Sequence, residues 1–253
     1  MGDTAYISIN RPSRRNALAR QVHHDFGTAV ESVAQQHAIR FVVVRGTDGV
    51  FSSGGDLQEL GNGIPEDYIT DYWHRMRRSV LALRALDQVV VAAIEGVAVG
   101  AGAALALAAD IVIADEDARL RFSFTHIGFV PDAGATLSLS RSAGLAFTRD
   151  ALLTGRWITA REARDAGLIA RIAPRGGLDD GVKQALTELR QAPALSLAMT
   201  KQLIDASAIP DFEATTRTEG VYQRAISATS EHRRHFAERL DELTRARNSR
   251  HHT

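Results

Sequence analysis

The chain has 253 residues, 30 Lys and Arg against 30 Asp and Glu, 45% hydrophobic residues and no cysteine. Zero net charge excludes a global field that would draw it to nucleic acid or an anionic membrane, so any anionic ligand must be held locally. The apolar content excludes disorder and fibrous repeats, and the lack of thiols excludes a disulfide scaffold, a thiolate metal site and a Cys nucleophile. A cysteine-free chain suits a reducing cytoplasm, the expected location. Of the basic residues only Lys183 and Lys201 are lysines. The arginines are scattered, which reads as a compositional habit of the source rather than as a phosphate-binding cluster.

At the start, Met1-Gly2-Asp3-Thr4 is too short and carries no basic residue for a signal peptide. Residues 5–9 alternate like a strand and run into the turn signal Asn10-Arg11-Pro12. Over 17–37, Leu18, Val22, Phe26, Val30 and Val33 fall on one helical face. Phe41-Val42-Val43-Val44 is a β-branched run of the kind buried on both faces of a sheet. A glycine-rich loop over 46–56 follows, and a short helix is predicted from Leu57 onward. Helix 66–87 repeats Ile69, Trp73, Met76, Val80 and Leu83 at three- and four-residue intervals, a stripe that suits a core better than an aromatic platform for a ligand. The most apolar stretch, 89–109, contains Glu95 and several small-residue breaks. It therefore reads as strand 89–94, a tight glycine turn and helix 101–109 rather than as a membrane span, and strand 111–114 follows.

This alternation predicts an α/β fold with crossover connections. From about residue 145 helical patterns take over, at 145–153, 160–166, 178–190, 195–207 and 211–247. The reading is an α/β core over 1–190 with a helical region over 191–253 appended to it. No HxxxH or HxH spacing occurs, so no metal site is expected.

Two loops share a design. Ser53-Gly54-Gly55-Asp56-Leu57 and Val99-Gly100-Ala101-Gly102-Ala103-Ala104 each follow a strand, consist of small residues and open a helix. Small residues let the backbone approach a ligand, and free N–H groups at a helix start carry partial positive charge. If the two converge, they can hold an oxygen that becomes negative during reaction. Close helix–strand packing is the alternative reading. A dinucleotide-binding fingerprint is disfavoured because Leu105 stands where its third small residue belongs.

Six ordered motifs now carry a resemblance. They are Asn10-Arg11-Pro12 with Asn16-Ala17-Leu18; Phe51-Ser52-Ser53-Gly54-Gly55-Asp56-Leu57; Ala92 to Gly102; Ala109-Asp110-Ile111; Ile127-Gly128-Phe129-Val130-Pro131-Asp132-Ala133-Gly134; and Leu153-Thr154-Gly155 with Glu162 to Leu168. Together they resemble the crotonase (enoyl-CoA hydratase/isomerase) superfamily from about residue 5 to 172. The resemblance implies a spiral of ββα units with a helical C-terminal trimerisation region, and homotrimers or dimers of trimers. It also implies an acyl-CoA substrate, with no cofactor beyond the coenzyme A that the substrate carries. The thioester oxygen would lie between the backbone N–H groups of Gly55 and Ala101, with Ser53, Gly54 and Gly102 in the same loops. Arg14 and Arg15 stand where family members contact adenine and phosphate, although a solvated arginine pair is an equal alternative.

The side chains narrow the chemistry. A family hydratase uses two Glu residues, and their positions here are held by Ala104 and Phe124, neither of which transfers a proton. Asp132 matches the catalytic Asp of a subset of family isomerases, including those that resemble the ring-epoxide to oxepin isomerase of phenylacetyl-CoA breakdown. Without the family match, Asp132 reads as a turn residue or helix cap after Pro131. Asp56 is read as a cap, Asp110 as a tie to the following strand and His126 as a hydrogen-bonded packing residue. Phe236 and Arg239 are considered for a neighbour's coenzyme A without commitment. The chain also begins at what resembles the family's second strand, which would leave a sheet edge exposed.

Overall fold

Runs of β-branched residues form the central strands. The computed structural model describes residues 2–61, 66–207 and 212–249. In it β1 (Thr4–Ile9), β2 (Phe41–Gly46), β3 (Val89–Ile94), β5 (Ile111–Asp115) and β8 (Arg171–Ala173) make a wholly parallel sheet in the order β1-β2-β3-β5-β8. Alternate residues point to opposite faces, so the hydrophobic run is divided. Val42, Val44, Val90, Ala92 and Ile94 enter the main core, while Phe41, Val43, Val89, Val91 and Ala93 pack with Val182, Ala185 and Leu186 of α6 (Leu178–Leu189). Helices cover both faces, as a parallel sheet requires. β1 is an edge strand, and its Tyr6 is exposed.

A second sheet is built from β4 (Val97–Val99), β6 (Arg119–Arg121) and β7 (Trp157–Thr159). Three-residue strands are too short to alternate, which is why the sequence pattern hides them and β8 as well. On the main core, α1 (Arg20–Ala34) and α2 (Glu66–Arg84) pack Phe26, Val30 and Val33 against Met76, Val80 and Leu83. α3 (Ala101–Leu107) is a single buried segment.

Four expected features differ, the first being that the helix expected over 211–247 is two, α8 (Phe212–Ser227) and α9 (Ser230–Ser249). Leu57 starts no helix: the Glu59 and Leu60 amides both donate to the Asp56 carbonyl at 3.0 Å, closing a turn. The helix expected at 145–153 is longer, α4 (Ala135–Thr154), and breaks at Gly144 with φ 75° and ψ 167°. In its first half Leu137 and Leu139 alternate with Ser138 and Ser140, a two-residue spacing that does not read as a helical stripe. Asp110 ties the neighbouring strand rather than the following one: it accepts from the Val90 amide at 2.7 Å and pairs with Lys201 Nζ at 2.8 Å. Lys201 lies on α7 (Ala194–Ser207), so this pair also pins the later helices to β3.

After α5 (Ala160–Asp165), β8 and α6, the described chain continues through α7, α8 (Phe212–Ser227) and α9 (Ser230–Ser249). The last helix contributes to the main core. Phe236 is buried within its own chain, 5.6 Å from the Phe129 ring, and Leu240 packs beside it. Among the described residues no helix is long and apolar enough to cross a membrane.

Candidate active site

Backbone pairing brings the two glycine loops together. Ser52 bridges Ala98, donating its amide to Val97 O at 3.1 Å and accepting from the Val99 amide at 2.9 Å. On the other side, Leu18 N donates to Gly54 O at 2.8 Å and Asp56 N to Leu18 O at 3.3 Å. The loop is thus stitched to both neighbours and the Gly55 amide is passed over. Small residues permit this closeness. A Cβ on Gly54 would lie 2.6 Å from Val99 O and 3.8 Å from Ala101 N, and one on Gly102 would lie 2.6 Å from Ser52 Cβ. Ala101 opens α3, where the first amides have no intrahelical acceptor. Among the described residues neither the Gly55 nor the Ala101 amide meets a protein acceptor.

Both residues line a cavity of about 210 Å³, together with Ser53, Gly54, Phe124 and Asp132. Trp73, Phe129, Leu57 and Leu60 give it an apolar wall. Trp73 is buried in the core stripe and lines the cavity as well, so it belongs to both settings. Gly102 faces Ser52 and does not line the cavity. Arg14 and Arg15 do not line it either. Their carbonyls receive the Ser53 hydroxyl at 3.3 Å and the Ser53 amide at 3.0 Å, which anchors the loop, and neither guanidinium has an acidic partner among the described residues. Arg239 has no described side chain. Asp56 accepts from the Gln58 amide at 3.0 Å and pairs with Arg11, so it caps the turn and ties it to the Asn10-Arg11-Pro12 segment.

Asp132 is the only carboxylate lining this cavity among the described residues. It is 3% exposed; Oδ2 accepts weakly from Gln223 Nε2 at 3.4 Å, and Oδ1 is buried with no partner. Burial pushes its pKa well above the usual carboxylate range, and nearby Glu219 pushes in the same direction. The loop that presents it is clamped from α8 and α9. Gln223 donates to Val130 O at 2.6 Å and accepts from the Val130 amide at 3.3 Å. Glu219 accepts from the Gly134 amide at 2.9 Å and from the Thr136 hydroxyl, and His232 Nδ1 donates to Gly128 O at 2.8 Å. Sequence reading missed these three residues because they stand about ninety positions from the loop they hold, and no spacing rule links them to it.

His126 lines the cavity and is hydrogen-bonded, as expected of a packing residue. Arg121 Nη2 lies 2.9 Å from its Nδ1, and a guanidinium can only donate, so Nδ1 is the acceptor. Tyr72, wholly buried, donates to Leu18 O at 2.7 Å, and burial pushes its pKa well up, so it is a fixed donor rather than a base. His23, behind Tyr72, is held neutral by burial with a pKa lowered to about 3. Among the described residues no group of His, Asp and Glu could hold a metal ion.

The parallel α/β core, the paired glycine loops and the apolar cavity are those of a crotonase-class protein. A family model for enoyl-CoA hydratase/isomerase matches residues 2–243, and the chain belongs to that family. It is 30% identical to the 1,2-epoxyphenylacetyl-CoA isomerase of Escherichia coli over 90% of this chain and 88% of that one. It is also 31% identical to the 2,3-dehydroadipyl-CoA hydratase of the same organism, over 79% and 78%. A Thermobifida fusca protein solved with acetoacetyl-CoA superposes with a TM-score of 0.75 at 31% identity, covering 89% of this chain and 91% of its own. Isomerases and hydratases both stand among the relatives, so the reaction has to be argued from the site.

Proposed function

We propose that the protein moves a double bond in an unsaturated acyl-CoA through a thioester dienolate. The observation that carries this reading is Asp132, the one carboxyl on the cavity among the described residues, with a buried unpartnered oxygen, where the free Gly55 and Ala101 amides also lie. Asp132 takes the C2 proton, the C–H pair becomes C1=C2 and the carbonyl pair moves onto the thioester oxygen between the two amides; then the C3=C4 pair takes the proton back at C4, C1=C2 shifts to C2=C3 and the carbonyl re-forms. One base on one face suffices for both transfers. Each preorganised amide donor contributes about 3 kcal/mol where charge develops. Hydration would need a second acid/base group, and Phe124, at 4% exposure, fills the wall where one would stand.

Soluble cytoplasmic action and assembly as a trimer or dimer of trimers belong to the same reading. Leu195, Met199 and Leu203 form an exposed apolar row at four-residue spacing on α7, which supports a subunit contact. Arg14 and Arg15, beside Ser53 at the loop, are the proposed contacts for the coenzyme A phosphates.

The test supplies a 3-enoyl-CoA in deuterated water. Expected are a 2-enoyl product, deuterium exchange at C2 and no comparable gain of water by crotonyl-CoA. Faster hydration than isomerisation would make the protein a hydratase, and tight binding without C2 exchange would make it a non-catalytic binder. The acid limb of kcat/KM should lie at higher pH than an ordinary carboxylate gives, because Asp132 must ionise to act as base and its pKa is raised. Glu219→Gln removes a like charge while keeping an acceptor for the Gly134 amide. Its limb should move to lower pH, and an unmoved limb would show that Glu219 acts only as a clamp.

A further inference from the structure

A second cavity, of about 250 Å³ between α2 and α8, shares Asp132 and Trp73 with the first. Its chemistry is different. His74 and Arg77 of α2 line it, and so do Arg217, Glu219, Gln223 and Arg224 of α8. Three buried polar atoms of lining residues have no partner: Trp73 Nε1, Arg77 Nε and Asp132 Oδ1. Two of these are N–H donors, and a buried donor left unmet carries its full desolvation cost. The Arg224 guanidinium likewise has no acceptor among the described residues. The carboxylates nearby are committed elsewhere. Glu213 is shared by Arg77 at 2.8 Å and Arg217 at 3.1 Å, and Glu219 is taken up by the Gly134 amide and the Thr136 hydroxyl.

We propose that this second cavity receives the distal end of the acyl chain, and that the end it is built for is oxygen-bearing and anionic, a carboxylate. The inference rests on the acyl-CoA reading of the first cavity and adds the substrate class. A chain that enters past the apolar wall of Phe129 and Trp73 reaches the shared residues and then meets donors. A methyl end strands those donors in a space too polar for it, whereas a carboxylate accepts from several at once. Burial and the neighbouring Glu219 raise the Asp132 pKa, and an anionic end placed nearby raises it further.

The experiment compares two enoyl-CoA series of matched length, one methyl-ended and one ω-carboxylated, by isothermal calorimetry and by kcat/KM. Expected is a preference of roughly tenfold or more for the ω-carboxylated thioester at one chain length, because the methyl-ended analogue leaves the buried donors unpaired. Arg224→Gln should abolish that preference while leaving methyl-ended turnover unchanged. Gly220→Leu supplies an independent check. A Cβ there meets nothing nearer than Arg224 Nη1 at 3.8 Å, so the helix accepts a side chain at this lining position and a leucine takes up space in the cavity. It should reject the longer ω-carboxylated substrates and spare short ones. Equal use of the two series, or an Arg224→Gln variant that keeps the preference, overturns the inference and marks the cavity as merely hydrated. If neither series binds, the acyl-CoA reading itself is what fails.

Discussion

Asp132→Asn is expected to lower isomerisation and C2 exchange by about 10²–10⁴-fold, the range supplied by a positioned acid/base group. The amide has the shape of the carboxylic acid and can still accept from Gln223, so affinity for the CoA thioester should persist while kcat collapses. Stability gives a second readout with a defined sign. The folded-state pKa of Asp132 lies above its unfolded value, so its stabilising effect is complete below the ordinary carboxylate range and is lost as pH rises through the raised value. The Asn variant has nothing to ionise there. Thermal unfolding of the wild type should therefore lose ground to the variant as pH increases through that window. A variant that retains turnover removes Asp132 from the mechanism, and one with parallel pH dependence removes the account of its environment.

Gly54→Ala is expected to produce the second large loss. Gly54 has φ +88°, and its Cβ would lie 2.6 Å from Val99 O, a backbone atom that cannot rotate away. The strain amounts to about 1–3 kcal/mol for the conformation alone. Relief comes from moving the two loops apart, and with them the two amide donors. Displacements of this kind cost about 10² in rate. Gly49→Ala is the control: its φ is +68° with nothing within 4 Å of the new Cβ. It should lose stability and keep kcat, whereas Gly54→Ala should lose kcat well beyond any change in KM. Equal activity of the two variants would refute the role assigned to the converged loops.

Much of this architecture could be read from residue pattern. The run Phe41 to Val44 announced a strand covered on both sides, and α6 and the main core supply those covers. The glycine loops declared their backbone amides because no side chain competes for the space. What stayed hidden has physical causes. β4, β6 and β7 are held by pairing with one another and with the loop at Ser52, not by their own composition. Gln223 and Glu219 look like ordinary polar residues of an amphipathic helix, and only the folded chain shows them gripping the loop at Val130 and Gly134. Gly102 shows the opposite error. It sits in a loop that lines the cavity, yet its missing side chain makes room for Ser52 rather than for a ligand.

The clamp from α8 and α9 also sets an order in time. A chain emerging from the ribosome has its whole parallel sheet available once β8 is out, and the two amide-bearing loops with it. The acid is another matter. Its loop is fastened by Glu219, Gln223 and His232, which arrive last. A nascent or C-terminally nicked chain thus holds a nearly finished scaffold in which the loop of Asp132 still lacks its fastenings, and on the proposed reading proton transfer waits for these two helices.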